Sequence, residues 1–420
     1  MNFKKINPIK LKRNAVAVAP PSKSLSHRAL ILASLSKGNS KIFNFLESED
    51  TFYTKKALQS FGVKINGKKN LTVESSGKLI PSKKEINCGN SGTTLRFLVG
   101  LSALVEGKTI ITGNKAMQKR PVKDLLIALN DLGVKGRALN RSGCPPVEMH
   151  GGNFFGGKTN LKGSISSQFF SSILIAAPFA EKDVIINSNG ELKSKPYIDL
   201  TIAIMNDFGV KVQKKGYKKF IVKKGQKYKK RNYFVEGDYS NAAYFFALAA
   251  ILKEKIKVKN LNPKSLQADK IFLNCIKRMG CEVRFGNDFI EVQGNDLKAI
   301  NANLSNAPDI VQPLSIVASY AKGKTRINGV SHLRFKETDR LKALEKELIR
   351  AGIKVKTGKN FIEIFGGKHK KAAFRTYNDH RMAMSFSLIG FKEKGFSIEN
   401  PSCVSKSFPD YFKEMKKISD

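Results

Sequence analysis

Cys88-Gly-Asn-Ser-Gly-Thr-Thr-Leu-Arg96, followed by an apolar run to Val105, sets the reading of the whole chain. Small polar residues come first. Leu95, Phe97, Leu98, Leu101 and Leu104 then recur at helical spacing. The pattern predicts a helix whose first turn is built from Gly, Asn, Ser and Thr. Free N–H groups and the positive dipole end at such a start favour an anion, and the glycines let it approach the backbone. Taken alone, the stretch is equally a plain N-cap.

Five other stretches share its form. They begin at Ser22-Lys-Ser-Leu-Ser-His-Arg28, Gly163-Ser-Ile-Ser-Ser-Gln168, Gly237-Asp-Tyr-Ser-Asn241, Ala307-Pro-Asp-Ile-Val311 and Asn378-Asp-His-Arg381. Helices such as Ala242–Leu252, apolar nearly all round, are expected to be buried. A second marker gives the period: a helix ends in Gly before an alternating strand at Gly62, Gly133, Gly209, Gly280 and Gly352, at intervals of 71, 76, 71 and 72 residues. Gly at the C′ position explains the marker. A sixth copy is expected to end near residue 420, where Tyr411–Met415 reads as a helix. The chain is therefore read as six copies of a helix–strand–helix–strand unit.

At 420 residues two domains are expected, and six units divide as three plus three. Five scattered cysteines (Cys88, Cys144, Cys275, Cys281 and Cys403) without a Cys-x-x-Cys pair point to reduced thiols and away from a structural zinc site. No apolar run reaches membrane-spanning length, so a cytoplasmic protein with no membrane partner is expected. The net charge of +41 favours anionic partners in general. It is densest at Lys214–Arg231, where 10 of 18 residues are Lys or Arg, interleaved with Tyr217, Phe220 and Tyr228. This tract reads as a solvated strand pair with its aromatics facing the core, or as an RNA-binding ribbon. At the N-terminus, residues 1–19 read as one strand, Lys10–Val18, ended by Pro20-Pro21.

The motifs, taken in order, resemble those of the EPSP synthase (3-phosphoshikimate 1-carboxyvinyltransferase) family of enolpyruvyl transferases. Pro21-Ser-Lys-Ser-Leu-Ser-His-Arg28 looks like its N-terminal signature, and Gly89–Arg96 resembles its second motif. Arg120-Pro121-Val122, Gly163–Gln168, Ser194-Lys-Pro-Tyr197, Ala307-Pro-Asp309, Phe335–Leu341, Tyr377–Met384 and Ser405–Phe412 follow in family order along nearly the whole chain. Two departures stand out: His332 where many relatives carry Asn, and Phe97 where relatives often carry Pro.

The resemblance implies an α/β fold, a two-lobed inside-out α/β barrel with three repeats per lobe, helices inside and sheet mostly outside. On it, residues 20–235 form one lobe and 236–420 the other, with strand 1–19 joining the second. The helix starts are then expected to face one cleft that closes on substrate. The implied reaction joins the 5-hydroxyl of shikimate 3-phosphate to C2 of phosphoenolpyruvate and expels phosphate. About five to six negative charges must share the site, repelling by about 4 kcal/mol per close pair at intermediate dielectric. Lys23, Arg28, Arg96, Arg120, Lys336, Arg340, Arg381 and Lys406 are the cations available to offset this, so no metal or other cofactor is expected.

Carried over residue by residue, the resemblance assigns Lys23, Ser24, Arg28, Ser166, Ser167, Ser194, Asp309 and Lys336 to shikimate 3-phosphate. It assigns Lys23, Asn90, Gly92, Arg120, Gln168, Arg340, Arg381 and Lys406 to phosphoenolpyruvate. Asp309 is the candidate for the hydroxyl proton, Glu337 for protonation at carbon, and Lys23 or Lys406 for the departing phosphate. Read without the resemblance, Asp309 is an N-cap and Glu337 a salt-bridge partner of Arg340. Arg96 is either a direct ligand or a packing residue, and His380 a pocket wall; His27, His150 and His369 are structural or surface.

A monomer acting on small molecules is expected, with no obligate nucleic-acid partner. Two rivals remain. One is the sister transferase acting on UDP-N-acetylglucosamine, whose loop usually carries a cysteine that Asn114–Lys119 lacks. The other is an RNA-binding protein on a related fold.

Overall fold

The computed structural model describes residues 3–140, 142–164 and 166–420; Met1, where the N-terminal reading begins, and Ile165, within the Gly163–Gln168 stretch, lie outside the described residues. The chain divides into two compact units: Pro21–Val235, and Glu236–Asp420 together with the residues up to Pro20.

In the unit Pro21–Val235, three pairs of helices alternate with three sheets. The helices are α1 (Lys23–Leu35), α2 (Glu49–Ser60), α3 (Gly92–Leu101), α4 (Lys123–Asp131), α5 (Ser167–Ala176) and α6 (Pro196–Asp207). The first sheet runs Asn232–Phe234, Gly38–Phe43, Leu71–Ser75, Lys64–Gly67. The second runs Ile86–Asn87, Gly107–Thr112, Val147–Gly151, Lys135–Ala138, and the third Gly157–Lys162, Val184–Asn189, Lys219–Val222, Val212–Lys215. Each sheet opens with a parallel pair and continues with two antiparallel ones. The unit closes on itself, because its last strand, Asn232–Phe234, is the first strand of its first sheet.

The other unit repeats the plan with α7 (Tyr239–Leu252), α8 (Ile271–Arg278), α9 (Val311–Ser319), α10 (Arg340–Arg350), α11 (His380–Lys392) and α12 (Tyr411–Lys417). Here the N-terminal segment supplies two strands. Val16–Val18 pairs in parallel with Lys255–Lys259, and Phe3–Ile6 pairs antiparallel to Phe396–Glu399. The single strand expected over Lys10–Val18 is thus corrected. A turn at Arg13-Asn14 interrupts the alternation, and Leu11, though buried, makes only an isolated bridge to Ser419. The expected helix–strand–helix–strand unit is corrected too. Five of the sheets among the described residues have four strands and the last has three, because strands as short as Ile86–Asn87 carry no periodicity to read.

The five marker glycines have φ between 80° and 117°. Each closes a helix with the same two backbone bonds, as in Gly209 N–H to Asn206 O and Val210 N–H to Met205 O, both 2.9 Å. This is the six-to-one and five-to-two pairing that a left-handed C′ residue permits. The last helix, α12, ends at Lys417 without such a glycine.

Within each unit, one helix of every pair is buried nearly all round. On α7 only Leu252 escapes burial. Each large apolar side chain there contributes about 2 kcal/mol by leaving water. On α3 the residues left accessible are Thr93 and Arg96, and on α5 only Gln168. The two helices cross in close approach at Gly100, where a Cβ would stand 2.3 Å from Ser172 Oγ, and Ser172 Oγ donates to Arg96 O at 2.6 Å.

Candidate active site

In the unit Pro21–Val235, the starts of α1, α3 and α5 are capped by Ser22, Ser91 and Ser166, whose hydroxyls accept from N–H groups of the first turn at 3.5, 3.4 and 3.3 Å. Lys23 opens α1, and its Nζ donates to Asp50 Oδ2 at 2.9 Å. A buried chain of hydroxyls lies beneath these starts. His27 Nδ1 meets Thr54 Oγ1 at 2.7 Å, Thr54 meets Thr94 Oγ1 at 2.6 Å, and Thr94 meets Ser91 Oγ at 2.7 Å. His27 is therefore structural, and the Asn90–Gly92 turn is held from below.

The accessible residues of α3 and α5 are joined to one another. Arg96 Nη1 donates to Gln168 Oε1 at 2.6 Å, and Gln168 Nε2 to Thr93 Oγ1 at 2.9 Å. A Cβ on Gly92 would stand 2.5 Å from Arg120 Nη1 and 3.5 Å from Arg96 Nη1, so two guanidinium groups crowd the bare first residue of α3. Phe97 leaves that helix start in place; it is buried, with its ring centroid 5.1 Å from the Arg28 guanidinium carbon.

Arg28 is committed largely to the protein. It donates to Thr201 Oγ1 at 2.7 Å, Ser24 O at 2.9 Å, Tyr197 O at 3.3 Å and Ser171 Oγ at 3.5 Å, tying α1 to α5 and α6. Burial lowers its pKa to about 10, which leaves it a cation at neutral pH. The loops carrying Ser166–Ser167 and Ser194 are joined by backbone bonds, Lys193 N–H to Gly163 O and Gly163 N–H to Asn189 O, both 3.0 Å. Ser194 adopts a φ of 55°.

In the other unit the side-chain caps, on three of the helices, are acidic. Asp238 caps α7, Asp339 caps α10 and Asp379 caps α11, accepting at 2.9, 3.0 and 2.9 Å from Asn241, Lys342 and Arg381 N–H. Asp309 is not a cap. It sits in the short 3-10 turn Pro308–Ile310, and its oxygens accept from Arg340 Nη1 at 3.0 Å and Arg381 Nη2 at 2.8 Å. Arg340 is almost wholly buried and serves three carboxylates: Asp309, Glu337 (2.8 Å) and Asp379 (2.8 Å). Burial acts to lower its pKa, and the carboxylates outweigh it and hold the pKa above the ordinary value.

The Glu337–Arg340 ion pair expected from spacing alone is therefore present, inside a larger cluster. Lys406 Nζ, also buried, lies 4.0 Å from Glu337 Oε1. Arg381 is different. Its Nη2 goes to Asp309, while Nε and Nη1 have no hydrogen-bond partner among the described residues. Burial works against its charge, but Asp309, the Tyr244 phenol, Asp269 and Asp238 raise its pKa well above the usual value. His380 opens α11 and is buried, as is His332 in the 3-10 turn Ser331–Phe335; Lys336, which follows that turn, is half-buried.

Sequence reasoning left out Asp50, Thr93, Asp238 and Asp379. Asp238 and Asp379 lie in helix starts already singled out, where an Asp before an apolar run reads as a cap; Asp50, an acid in the first turn of α2, reads as a dipole partner. Its pairing with Lys23 is tertiary. Among the described residues no group of three or more His, Cys, Asp or Glu side chains is placed to hold a metal ion, and no helix is long and apolar enough to cross a membrane.

Comparison with known proteins gives a consistent result. The profile of the family described as EPSP synthase (3-phosphoshikimate 1-carboxyvinyltransferase) matches residues 9–415. The chain is 42% identical over 412 residues to a 3-phosphoshikimate 1-carboxyvinyltransferase of Histophilus somni, covering 95% of each. It is 39% identical over 426 residues to the enzyme of that name from Sulfurovum sp., covering 100% of both. A solved EPSP synthase structure from Acinetobacter baumannii superposes with a TM-score of 0.84 at 27% identity, covering 99% of this chain and 98% of that one.

Proposed function

The chain belongs to the EPSP synthase family, and we propose that Asp309, Glu337 and Lys23 carry the chemistry of its reaction. That reaction moves the enolpyruvyl group of phosphoenolpyruvate to the 5-hydroxyl of shikimate 3-phosphate in the shikimate pathway. Asp309 takes the hydroxyl proton as the substrate oxygen bonds to C2 of phosphoenolpyruvate. Glu337 delivers a proton to the methylene carbon and takes one back as the C2–O bond to phosphate breaks. Lys23 or Lys406 offsets the charge of the departing phosphate.

Shikimate 3-phosphate is assigned to Lys23, Ser24, Arg28, Ser166, Ser167, Ser194, Asp309 and Lys336. Phosphoenolpyruvate is assigned to Lys23, Asn90, Gly92, Arg120, Gln168, Arg340, Arg381 and Lys406. Within these sets, Arg28 and Arg340 do most of their work by fixing neighbours, since their N–H groups go largely to the protein. Arg381 gives Nη2 to Asp309, and its Nε and Nη1 are buried beside the Tyr244 phenol. The protein acts as a monomer in the cytoplasm.

The observation that carries the reading is the cluster around Arg340, which puts both candidate acid–base carboxylates on one buried guanidinium. It is tested by phosphate release from phosphoenolpyruvate with shikimate 3-phosphate or UDP-N-acetylglucosamine as acceptor, with chelator present and Glu337→Gln alongside. Release with shikimate 3-phosphate only, lost in the variant, is the expected result. Full activity of Glu337→Gln would remove Glu337 from the mechanism.

A further inference from the structure

The basic tract Lys214–Arg231 has so far found no use. Its strands, Val212–Lys215 and Lys219–Val222, are joined by a turn that carries Tyr217. Phe220 and Tyr228 are buried, as a solvated strand pair requires; Tyr217 is half-buried against the edge of the same core. Its hydroxyl donates to Asp199 Oδ2, in the first turn of α6, and Lys214 Nζ donates to Asp199 Oδ1 at 2.6 Å. Two ammonium groups lie over the ring, Lys214 Nζ at 4.2 Å and Lys195 Nζ at 5.3 Å from its centroid.

Asp199 is bonded to the neighbouring loop as well: its N–H donates to Lys195 O at 3.3 Å, and Tyr197 N–H donates to Ser194 O at 3.2 Å. Ser194 holds a left-handed backbone (φ 55°), which residues bearing a Cβ keep only where their surroundings over-determine it. The hairpin tip is the outside brace of that loop. Burial, then the hydrogen bond to Asp199, raises the Tyr217 pKa and keeps its phenol a donor.

We infer that Tyr217 is a positioning residue for the phosphate end of the substrate site: through Asp199 and the face of its ring it fixes the Ser194–Tyr197 turn, so that Lys195 joins Ser194 in holding the phosphate of shikimate 3-phosphate. This rests on the assignment of Ser194 made above. It gives part of the charged tract a task inside the enzyme, with Lys214 neutralised by Asp199 as the anchor of the brace.

The test is calorimetric titration of the intact enzyme with shikimate 3-phosphate and, separately, with unphosphorylated shikimate. Wild type is expected to prefer the phosphorylated ligand. Tyr217→Phe is expected to weaken shikimate 3-phosphate binding about fivefold, and Lys195→Gln about tenfold, with shikimate binding and KM for phosphoenolpyruvate unchanged. Equal weakening of both ligands would mean a merely structural brace and would overturn the inference, as would unchanged binding in both variants. A wild type that does not prefer the phosphorylated ligand would overturn the functional reading itself, and the inference with it.

Discussion

Gly92→Ala puts a methyl group where the structure has none to spare. An added Cβ would stand 2.5 Å from Arg120 Nη1, against 3.4 Å or more for an ordinary contact, while its distance to Arg96 Nη1, 3.5 Å, is acceptable. The backbone is not the obstacle, because Gly92 has no positive φ and opens a helix that alanine favours. Arg120 must therefore retreat by about 1 Å, enough to stretch a charge-assisted N–H···O bond out of range. Losing one such bond costs about 2 kcal/mol, roughly a 30-fold rise in KM for phosphoenolpyruvate. Initial rates against phosphoenolpyruvate at saturating shikimate 3-phosphate measure it, with the urea midpoint as control. The midpoint should not fall, and KM for shikimate 3-phosphate should hold. An unchanged KM for phosphoenolpyruvate, or an equal rise for both substrates, would refute the placement of Arg120 over Gly92 as a phosphoenolpyruvate contact.

Arg340→Met leaves Asp379, which has no exposed side-chain surface, beside Asp309 and Glu337 without their shared cation; a loss of about 3 kcal/mol, or roughly 1 M in the urea midpoint, is expected. An unchanged midpoint would show that the cluster does not hold the unit together. His369 is kept neutral in the fold because burial lowers its pKa below 6.5, an effect Glu393 opposes. Its contribution is present above the unfolded pKa and is lost as pH falls through 6.5 towards the lower folded value, so from pH 7.5 to 5.5 wild type should lose more stability than His369→Asn. Parallel pH curves would rule this out. All five cysteines are buried, and burial pushes the Cys88 thiol well above its usual range, so a thiol reagent should label five groups in denaturant and none rapidly in the native enzyme. Rapid native labelling of Cys88 would show that the Gly89–Gly92 turn opens.

What the sequence made legible was what the backbone itself demands. A left-handed residue must close each helix before its strand, so Gly62, Gly133, Gly209, Gly280 and Gly352 announce the repeat. Polar residues before an apolar helix announce the capped helix starts for the same local reason. Pairings across hundreds of residues leave no such trace. Phe3–Ile6 fills a place beside Phe396–Glu399, and Arg28 reaches Thr201; neither is visible before the chain closes. Tyr217 reads as a core aromatic and does pack against the core edge, but its place in a turn with its hydroxyl on Asp199 leaves no trace in the sequence.

The side-chain caps of the two units differ, hydroxyls on α1, α3 and α5 and carboxylates on α7 and α11 with none on α9, and this argues for a division of labour. Ser22, Ser91 and Ser166 are neutral, so they do not offset the dipoles of α1, α3 and α5, and Arg28, Arg96 and Arg120 add positive charge, while Lys23 is paired with Asp50. Such starts suit anions. Asp238 and Asp379 cap α7 and α11 with carboxylates, which oppose the dipoles, and Asp379 also fixes Arg340. Arg340 takes Asp379 on one side and offers Asp309 and Glu337 a common counter-charge on the other. The proposed acid–base role of Asp309 and Glu337 needs carboxylates held in place, and Arg340 holds both. Exchanging the caps should therefore separate the functions: Ser91→Asp should impair phosphoenolpyruvate binding, and Asp379→Ser should impair turnover by loosening Arg340. Steady-state kinetics of the two variants read this directly, and if Ser91→Asp lowered kcat at unchanged KM for phosphoenolpyruvate, the division would be wrong.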